Sequence, residues 1–296
     1  MSENRPFIKL YKPYASHEVT YIMGHVLRSP AKKRDRITKN PFKNALEMVR
    51  RYRVKGIKNT EVELVVGGKT RVTYTERDGY FEFAYKTTEL SCEAQVRLPN
   101  FDLTQQVSYV AKNPDKIIVT DIDDTLLVSH STSLLKKMYL LLTKNYQRRR
   151  AFDGIVSLYE DLMGNTGEIF YVSSSEWNLY DFLKDFVNYN GFPNGVFLLQ
   201  ELKSGLRDLL NSGGGSHQHK RKKIDRLLAT YPSASFILIG DSGQKDPAIY
   251  ESVVAEYPHR ISKVYIRDVR KSRKMKLRAL SERLALEGVA MEILEK

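Results

Sequence analysis

The first third of the chain consists of short segments in which hydrophobic and polar positions alternate. Such alternation places every second side chain on the same face of a strand. It predicts β-strands at residues 19–27, 61–66, 70–75, 80–85, 93–98 and 105–110. The dipeptides Gly67-Gly68 and Asp78-Gly79 supply turn chemistry between consecutive strands, and one helix is predicted at residues 41–53. We therefore expect residues 1–112 to form an antiparallel β-sandwich domain.

The pattern changes after Asn113-Pro114, where the predicted strands become continuously apolar and alternate with helices. Strands are predicted at residues 117–120, 168–172, 195–199, 235–239, 264–266 and 290–294, and helices at 133–142, 151–163, 176–189, 219–230, 248–256 and 272–286. Apolar strands that alternate with helices are typical of a doubly wound parallel sheet. Residues 113–296 are expected to form such an α/β domain, with functional residues beyond the carboxyl ends of its strands.

Three carboxylates, Asp121, Asp123 and Asp124, follow the first of these strands. Their negative charges repel one another unless a cation lies among them. A Mg²⁺ site accounts for the cluster, because Mg²⁺ prefers oxygen ligands and retains waters that a phosphate can replace. Asp121 and Asp123 share one side of an extended chain, where Asp121 could act as nucleophile and Asp123 as general acid and base. The alternative is an acidic loop that caps the next helix.

A second group of carboxylates follows the strand at residues 235–239, in the segment Gly240-Asp-Ser-Gly-Gln-Lys-Asp-Pro247. Asp241 lies at the end of the strand, where it could share a metal ion with Asp121. Asp246 could bind the same ion or orient its waters. The alternative is a tight turn followed by Asp246 as the N-cap of the helix that begins at Pro247.

Hydroxyl and basic residues complete the candidate chemistry. Ser173, Ser174 and Ser175 follow the strand at residues 168–172 and could form a phosphate cradle at the start of the next helix. Alternatively, Ser174 or Ser175 caps that helix. The run Lys220-Arg-Lys-Lys223 offers a point charge that could hold a phosphate and an aspartate together, although four consecutive cations are commonly a solvated helix face.

The order of these four segments resembles that of the haloacid-dehalogenase-like hydrolases, in which four such motifs converge at one edge of a parallel sheet. Over residues 113–296 the chain also resembles the actin-patch-associated phosphatidate phosphatase family. The blocks that carry this second resemblance are Asp121-Ile-Asp-Asp-Thr125, Tyr171-Val-Ser-Ser-Ser-Glu-Trp177, His219-Lys220, Ile239-Gly-Asp-Ser-Gly-Gln-Lys-Asp-Pro247 and Ile266-Arg-Asp-Val269. An N-terminal β domain containing Arg77-Asp-Gly-Tyr-Phe81 is similar to that of bacterial members.

The resemblance implies a role for each candidate residue. Asp121 corresponds to the nucleophile, Asp123 to the acid and base, and Lys220 to a residue that neutralises charge on the phosphate. The implied phosphate-binding residues are Thr125, Ser173, Ser174 and Lys220, and the implied Mg²⁺-binding residues are Asp121, Asp123, Asp241 and Asp246. The implied reaction is Mg²⁺-dependent hydrolysis of phosphatidate to diacylglycerol and phosphate through an aspartyl-phosphate.

Two departures from the family pattern bear on the substrate more than on the chemistry. Ser174 and Glu176 stand where eukaryotic members have Asn and Pro. Two other interpretations therefore stay open. One is a phosphomonoesterase that acts on a soluble metabolite, a protein or a polynucleotide end. The other is a non-catalytic module that binds lipid or a protein partner, which the intact pair Asp121 and Asp123 disfavours.

Composition and charge indicate which kinds of partner and which cellular compartment to expect. Lysine and arginine exceed aspartate and glutamate by 48 − 35 = 13, which favours anionic partners: nucleic acid, an acidic lipid surface or phosphorylated substrates. The charge does not choose among them, and the alternative is that it serves solubility alone. A nucleic-acid partner is not expected, because no zinc finger, RNA-recognition signature or helix-turn-helix is recognisable. The absence of an apolar run of about 18–20 residues argues against a transmembrane segment. With no signal-peptide core and only Cys92 as a thiol, we expect a cytoplasmic protein, free or peripheral on a membrane.

Residues 129–167 lie between the first two motifs and are expected to form a small helical cap that sets substrate selectivity. The segment contains the apolar side chains Leu134, Leu135, Met138 and Leu141, followed by basic residues. Such a helix could cover the site or touch a membrane with a basic rim. The alternative is an ordinary core helix with a charged end.

Overall fold

A computed structural model describes residues 6–28, 54–122, 125–126, 154–201, 217–269 and 274–294. The chain divides into two compact units, and the division along the described residues falls between Asn113 and Pro114, with Glu201 also assigned to the first unit. The helices predicted at residues 41–53 and 133–142 lie outside the described residues.

The first unit contains eight strands among its described residues. They are β1 (Phe7–Leu10), β2 (Tyr14–Ala15), β3 (Val19–Leu27), β4 (Glu61–Val66), β5 (Lys69–Tyr74), β6 (Tyr80–Lys86), β7 (Ser91–Leu98) and β8 (Leu103–Val110). A short 3-10 helix, Pro99–Phe101, joins the last two. In β4 the residues Val62, Leu64 and Val66 are buried and alternate with half-buried ones, as the sequence pattern predicts.

Two antiparallel sheets form this unit. In one, β3 pairs with β1, β2 and β6, and in the other the order is β5-β4-β7-β8. Side chains from both sheets, including Ile22, Phe81, Leu64 and Val96, belong to one buried hydrophobic cluster. Burial of this apolar surface is the main favourable contribution to the stability of the unit.

The sequence pattern misses two strands of this unit, whereas both of the predicted turns are present. β1 and β2 are too short to show a clear alternation, and Pro13 stands next to β2. Gly67 and Gly68 both have positive φ values and close the β4–β5 hairpin, as expected. Asp78-Gly79 does not close a hairpin, because the strands that it joins, β5 and β6, belong to different sheets.

The second unit alternates strands and helices. Its described strands are β9 (Lys116–Thr120), β10 (Gly167–Glu176), β11 (Val196–Gln200), β12 (Ser235–Asp241), β13 (Ile261–Arg267) and β14 (Ala290–Leu294). Its described helices are α1 (Ile155–Met163), α2 (Tyr180–Tyr189), α3 (His217–Thr230), α4 (Asp246–Glu256) and α5 (Lys274–Leu286), with 3-10 turns at Trp177–Leu179 and Pro258–Arg260.

The six strands form one sheet in the order β11-β10-β9-β12-β13-β14, and every neighbouring pair is parallel. From β9 the chain adds β10 and β11 on one side of the sheet, and it then adds β12, β13 and β14 on the other side. The strand order therefore reverses between β9 and β12. In parallel α/β sheets, the crevice for a ligand lies beyond the carboxyl ends of the strands at such a reversal. Ile117, Ile118 and Val119 of β9 are all buried, which explains why this central strand is continuously apolar.

β10 differs from its predicted bounds in a way that affects the candidate site. The strand continues through Ser173, Ser174 and Ser175 to Glu176, and α2 begins only at Tyr180. Neither the 3-10 turn that follows β10 nor α2 has a side-chain cap hydrogen bond. The prediction that the serines stand at the start of a helix is therefore wrong, as is the alternative that one of them caps it.

No helix in the described parts of the chain combines the length and the apolar character needed to cross a membrane.

His25 of β3 is a fully buried titratable group in the first unit. Its Nδ1 lies 2.9 Å from the Tyr11 hydroxyl, and its Nε2 lies 3.4 Å from Asp78 Oδ2. Burial lowers the pKa of His25, while Asp78 opposes this shift and the charge of Lys9 adds to it. The folded state therefore favours the neutral imidazole.

We predict that the first unit loses stability as the pH falls below about 6.5, the usual histidine pKa. Protonation is easier in the unfolded chain, so the free energy of unfolding decreases there by at most about 1.4 kcal/mol per pH unit for this one proton. Hydrogen exchange of the β3 amides, corrected for the intrinsic effect of pH, measures the change. His25→Gln should flatten the profile and His17→Gln, at an exposed position, should not; an unchanged profile in His25→Gln contradicts the prediction.

Candidate functional site

The strand pairing brings two of the predicted carboxylates to the same edge of the sheet. In the β9–β12 pair, Thr120 lies opposite Ile239, and the backbone N–H of Asp121 donates to the Ile239 carbonyl at 2.9 Å. Asp121 follows β9 directly and Asp241 is the last residue of β12. The two carboxylates therefore stand at the carboxyl ends of the central strands, where the strand order reverses.

Two helices bring the remaining charged groups. Lys220 lies in the first turn of α3, and Asp246 is the first residue of α4. Lys220 Nζ lies 2.5 Å from Asp246 Oδ1 and 3.1 Å from Asp121 Oδ1. The exposed fractions are 1% for Asp121, 3% for Lys220, 0% for Asp241 and 1% for Asp246. Four formal charges are thus almost completely removed from solvent, and each depends on the others for compensation.

The donor set of this cluster fits a hard divalent cation. Asp121, Asp241 and Asp246 each offer one carboxylate oxygen, and these three atoms lie within 4.8 Å of one another. Three carboxylates carry more negative charge than the single ammonium of Lys220 offsets. Oxygen ligands and a residual negative charge are what Mg²⁺ requires, so these residues would hold the ion.

The position of Asp246 excludes its alternative interpretation as a helix cap. The cap position of α4 is occupied by Lys245, and no side-chain cap hydrogen bond is present there. Instead, Asp246 Oδ2 accepts the backbone N–H of Asp241 at 3.3 Å, while its other oxygen contacts Lys220. Asp246 therefore connects the end of β12 with the first turn of α3.

Lys220 remains charged within the cluster. Burial alone lowers the pKa of a lysine, but the negative charges of Asp121 and Asp246 outweigh burial and raise the pKa of Lys220 above its usual value. The ammonium group is consequently available to hold the Asp121 carboxylate in one orientation.

Gln244 is a further site residue that sequence reasoning missed. Its Nε2 donates to Asp121 Oδ2 at 3.2 Å and to Asp241 Oδ2 at 3.0 Å. The backbone N–H groups of Gly243 and Gln244 donate to Asp241 Oδ1 at 2.6 and 2.9 Å. Gln244 lies inside the predicted Gly240–Pro247 segment, but no local pattern indicates that its amide bridges two carboxylates.

Gly240 permits the close approach of Asp246 to β12. A Cβ atom at position 240 would lie 2.5 Å from Asp246 Oδ2 and 2.7 Å from Asp246 Cβ, closer than real contacts allow. Glycine is therefore needed at position 240 because a larger residue would collide with Asp246. The backbone φ angle of Gly240 does not itself require glycine.

The other predicted site residues are placed as follows. Thr125 is fully buried, and its Oγ1 has no hydrogen-bond partner among the described residues. Ser173 is buried and accepts the backbone N–H of Ser175 at 2.9 Å, whereas Ser174 is half-buried. Because Tyr171 pairs with Thr120, Ser173 and Ser174 extend toward the same edge as Asp121. Asp123 lies outside the described residues.

We predict that Gly240→Ala destabilises the protein by about 1–3 kcal/mol, because the added methyl group displaces Asp246 from Lys220 and Asp241. Urea unfolding followed by Trp177 fluorescence measures the change. Ser235→Ala, at the other end of β12, adds no atom and should cost less than about 1 kcal/mol. Equal stability of Gly240→Ala and the wild type would contradict the geometry.

Removal of the Lys220 charge should also be costly. Lys220→Met leaves two buried carboxylates without their ammonium partner, so we expect a loss of about 3–5 kcal/mol at pH 7. The loss should shrink at pH 5, where the carboxylates can take up protons. Lys222→Met, on the exposed side of the same helix, is the matched control in the same unfolding measurement. A Lys220→Met protein as stable as this control at both pH values would show that the charges are compensated otherwise.

Comparisons with known proteins identify one matching family model and two curated relatives. A family model described as phosphatidate phosphatase APP1, catalytic domain, matches residues 116–268. Phosphatidate phosphatase APP1 of Saccharomyces cerevisiae is 28% identical over 151 residues, which is 51% of this chain and 25% of that protein. An uncharacterized protein of Schizosaccharomyces pombe is 26% identical over 156 residues, with the same two coverages. The chain therefore spans about a quarter of the length of these curated relatives.

Similarity to solved structures is weak. A carbohydrate acetylesterase from Xanthomonas citri matches with a TM-score of 0.31 and 9% identity, covering 98% of this chain and 68% of that chain. A TM-score this low carries no conclusion about fold or function.

The family match covers about half of the 296-residue chain and includes each residue of the charged cluster. Asp121, Lys220, Asp241 and Asp246 all fall between its limits, on the elements that form the sheet edge. The chain belongs to the family of the phosphatidate phosphatase APP1 catalytic domain.

Proposed function

We propose that this protein is a Mg²⁺-dependent phosphatase that hydrolyses phosphatidate to diacylglycerol and phosphate. The observation that carries the proposal is the convergence of Asp121, Lys220, Asp241 and Asp246 into one buried cluster. Family membership supports the substrate class, because the Saccharomyces cerevisiae relative is named a phosphatidate phosphatase.

The proposal includes a fold assignment. Residues 113–296 are assigned to a haloacid-dehalogenase-like, doubly wound domain with a helical cap at 129–167, and residues 1–112 to a β-sandwich domain. The reversal of strand order at β9 and β12 supports the assignment of the larger domain, as does the edge at which the motifs meet. The described part of the cap segment consists of residues 154–167 and includes α1.

The first chemical step is assigned to Asp121 and Asp123. A carboxylate oxygen of Asp121 attacks the phosphorus and forms a P–O bond, while the bond from phosphorus to the diacylglycerol oxygen breaks. Asp123 donates its proton to that departing oxygen, so diacylglycerol leaves as a neutral alcohol. Lys220 and Gln244 contact the two different oxygens of Asp121, which fixes the orientation of the nucleophile.

The second step returns the enzyme to its starting state. Asp123, now ionised, takes a proton from a water molecule whose oxygen attacks the phosphorus of the aspartyl-phosphate. The P–O bond to Asp121 breaks, inorganic phosphate leaves, and Asp121 regains its carboxylate.

Charge compensation is the principal requirement of both steps, because a carboxylate must approach a dianionic phosphate. Mg²⁺ held by Asp121, Asp241, Asp246 and Asp123 would supply most of the positive charge. Lys220 adds a second positive charge next to Asp121. Thr125, Ser173 and Ser174 are assigned to binding the phosphoryl oxygens, for which hydroxyl donors at the sheet edge are suited.

Two properties of the proposal follow from the substrate. Phosphatidate resides in membranes, so we propose a cytoplasmic protein that attaches peripherally to acidic membrane surfaces. The net charge of +13 supports this attachment. Co-sedimentation with acidic and with neutral vesicles tests it independently of catalysis.

We predict that Asp121→Asn lowers Mg²⁺-dependent phosphate release by about a thousandfold or more, because an amide oxygen is a poor nucleophile. Phosphate release is measured from phosphatidate vesicles, soluble phosphomonoesters, and 3′- and 5′-phosphorylated oligonucleotides. Asp115→Asn, at an exposed position at the other end of β9, is the matched control and should retain wild-type rates.

The substrate panel separates the proposal from its alternatives. Release that persists in Asp121→Asn removes the assigned nucleophile. Release from soluble esters alone removes phosphatidate and favours a phosphomonoesterase. Vesicle binding without release from any substrate favours the non-catalytic binding module.

The role of Asp123 predicts a separable defect. With 4-nitrophenyl phosphate, whose leaving group departs without a proton, Asp123→Asn should still form the aspartyl-phosphate but hydrolyse it about 100–10,000-fold more slowly. Rapid mixing should show a burst of nitrophenol of about one equivalent per enzyme, followed by slow turnover. A variant that shows no burst and turns over at the wild-type rate would exclude Asp123 as the base.

A further inference from the structure

Arg267 is a buried cation at the site edge to which the proposed reaction assigns no role. It is the last residue of β13 and is 3% exposed. In the pairing of β12 with β13, Arg267 lies opposite Asp241. The guanidinium is therefore enclosed on the same edge of the sheet as the carboxylate cluster. A buried guanidinium is costly unless its N–H groups are engaged, so its contacts indicate its purpose.

The guanidinium reaches across the sheet to the segment that follows Asp121. Arg267 Nη1 donates to the Thr125 carbonyl at 3.4 Å. Thr125 belongs to the turn after β9, which is closed by a backbone hydrogen bond of 3.0 Å from Leu126 to Ile122. β13 is not a neighbour of β9, because β12 lies between them. This contact therefore connects Thr125 with β13, a strand that is not paired with β9.

The end of β13 also holds the segment that follows Asp241. The Ser242 N–H donates to the Arg267 carbonyl at 2.9 Å, and the Ser242 hydroxyl donates to Asp268 Oδ1 at 3.3 Å. The Val269 N–H in turn donates to the Ser242 hydroxyl at 3.0 Å. The Arg267 guanidinium thus contacts the segment after Asp121. The segment after Asp241 is contacted by the Arg267 backbone and the Asp268 side chain.

Tyr159 of α1 carries a buried hydroxyl group beside the end of β9. The Tyr159 hydroxyl lies 2.5 Å from Thr120 Oγ1, immediately before Asp121. Burial raises the pKa of Tyr159, the hydrogen bond with Thr120 lowers it, the charge of Asp121 raises it and the charge of Arg267 lowers it. The opposite effects of Asp121 and Arg267 agree with the contact between Arg267 and Thr125.

We propose that Arg267 is a positioning residue for the phosphatase reaction. Its guanidinium holds the Thr125 carbonyl against the end of β13, so that Asp121, four residues before Thr125, stays aligned with the Asp241 segment. The role rests on the proposed function, because positioning matters only if Asp121 reacts. A misplacement of about 1 Å in such a group is sufficient to slow a reaction by roughly a hundredfold.

Arg260 provides a matched comparison from the opposite end of β13. It directly precedes the strand, and its Nη2 donates to the Tyr231 carbonyl at 2.6 Å and to the Ala234 carbonyl at 3.1 Å. Its guanidinium lies 5.5 Å from the centroid of the Phe236 ring. Arg260 therefore also binds backbone carbonyls, but at the edge of the sheet away from the carboxylates, so its role is structural.

The test compares Arg267→Gln and Arg267→Lys with Arg260→Gln and Arg260→Lys. Steady-state phosphate release gives kcat and KM, and thermal unfolding gives Tm for each variant. We expect Arg267→Gln to lower kcat by about 10–100-fold with KM changed less than about threefold. Arg267→Lys retains the charge and should recover part of kcat. The Arg260 variants should lower Tm while kcat stays within about twofold of wild type.

The outcomes distinguish the failure of this inference from the failure of the proposed function. A wild-type enzyme that is active, with Arg267→Gln unchanged in kcat or affected only as Arg260→Gln is, overturns the role of Arg267 alone. If Arg267→Gln does not fold, Arg267→Lys decides, and wild-type kcat in that variant overturns the role. A wild-type protein that releases phosphate from no substrate overturns the proposed function and this role with it.

Discussion

The second unit depends on one electrostatic constraint, which is that three carboxylates excluded from solvent must be compensated. Asp121, Asp241 and Asp246 repel one another, and burial strengthens that repulsion. The negative charges are compensated by the ammonium of Lys220 and by hydrogen bonds from the Gln244 amide and from two backbone N–H groups that donate to Asp241. A divalent ion would complete the compensation. The three carboxylates could hold such an ion, as the proposed function requires.

The sheet topology determines where the charged residues come together. The central strands β9 and β12 deliver their acidic residues side by side, and the helices that follow β11 and β12 deliver Lys220 and Asp246 to the same edge. Because each group comes from a rigid element, its position follows from strand register more than from loop conformation. The contact between Gly240 and Asp246 shows how closely β12 and α4 approach each other.

Sequence patterns predicted what depends on local periodicity. β3 and β4 begin and end where the pattern predicted. In β4 buried and half-buried residues alternate along the whole strand, whereas β3 alternates only at its start and is buried from Ile22 to Leu27. Asp121, Lys220, Asp241 and Asp246 were also identifiable, since each stands beside an apolar strand or in a basic helix. The strand character of Ser173 to Glu176 was missed because serines carry no hydrophobic period. Gln244 and Arg267 were beyond prediction, since their partners are set by pairing between distant segments.

The pairing of β9 with β12 has a consequence for how the protein is made. The hydroxyl of Ser235 donates to the carbonyl of Asp115, which is 120 residues earlier in the sequence. During synthesis, β9 therefore emerges long before the strand that completes its second edge. Until then Asp121 lacks Asp241 and Asp246, and before α3 is made it also lacks Lys220. A nascent chain that ends before α4 therefore cannot form the charged cluster, which is completed only late in synthesis.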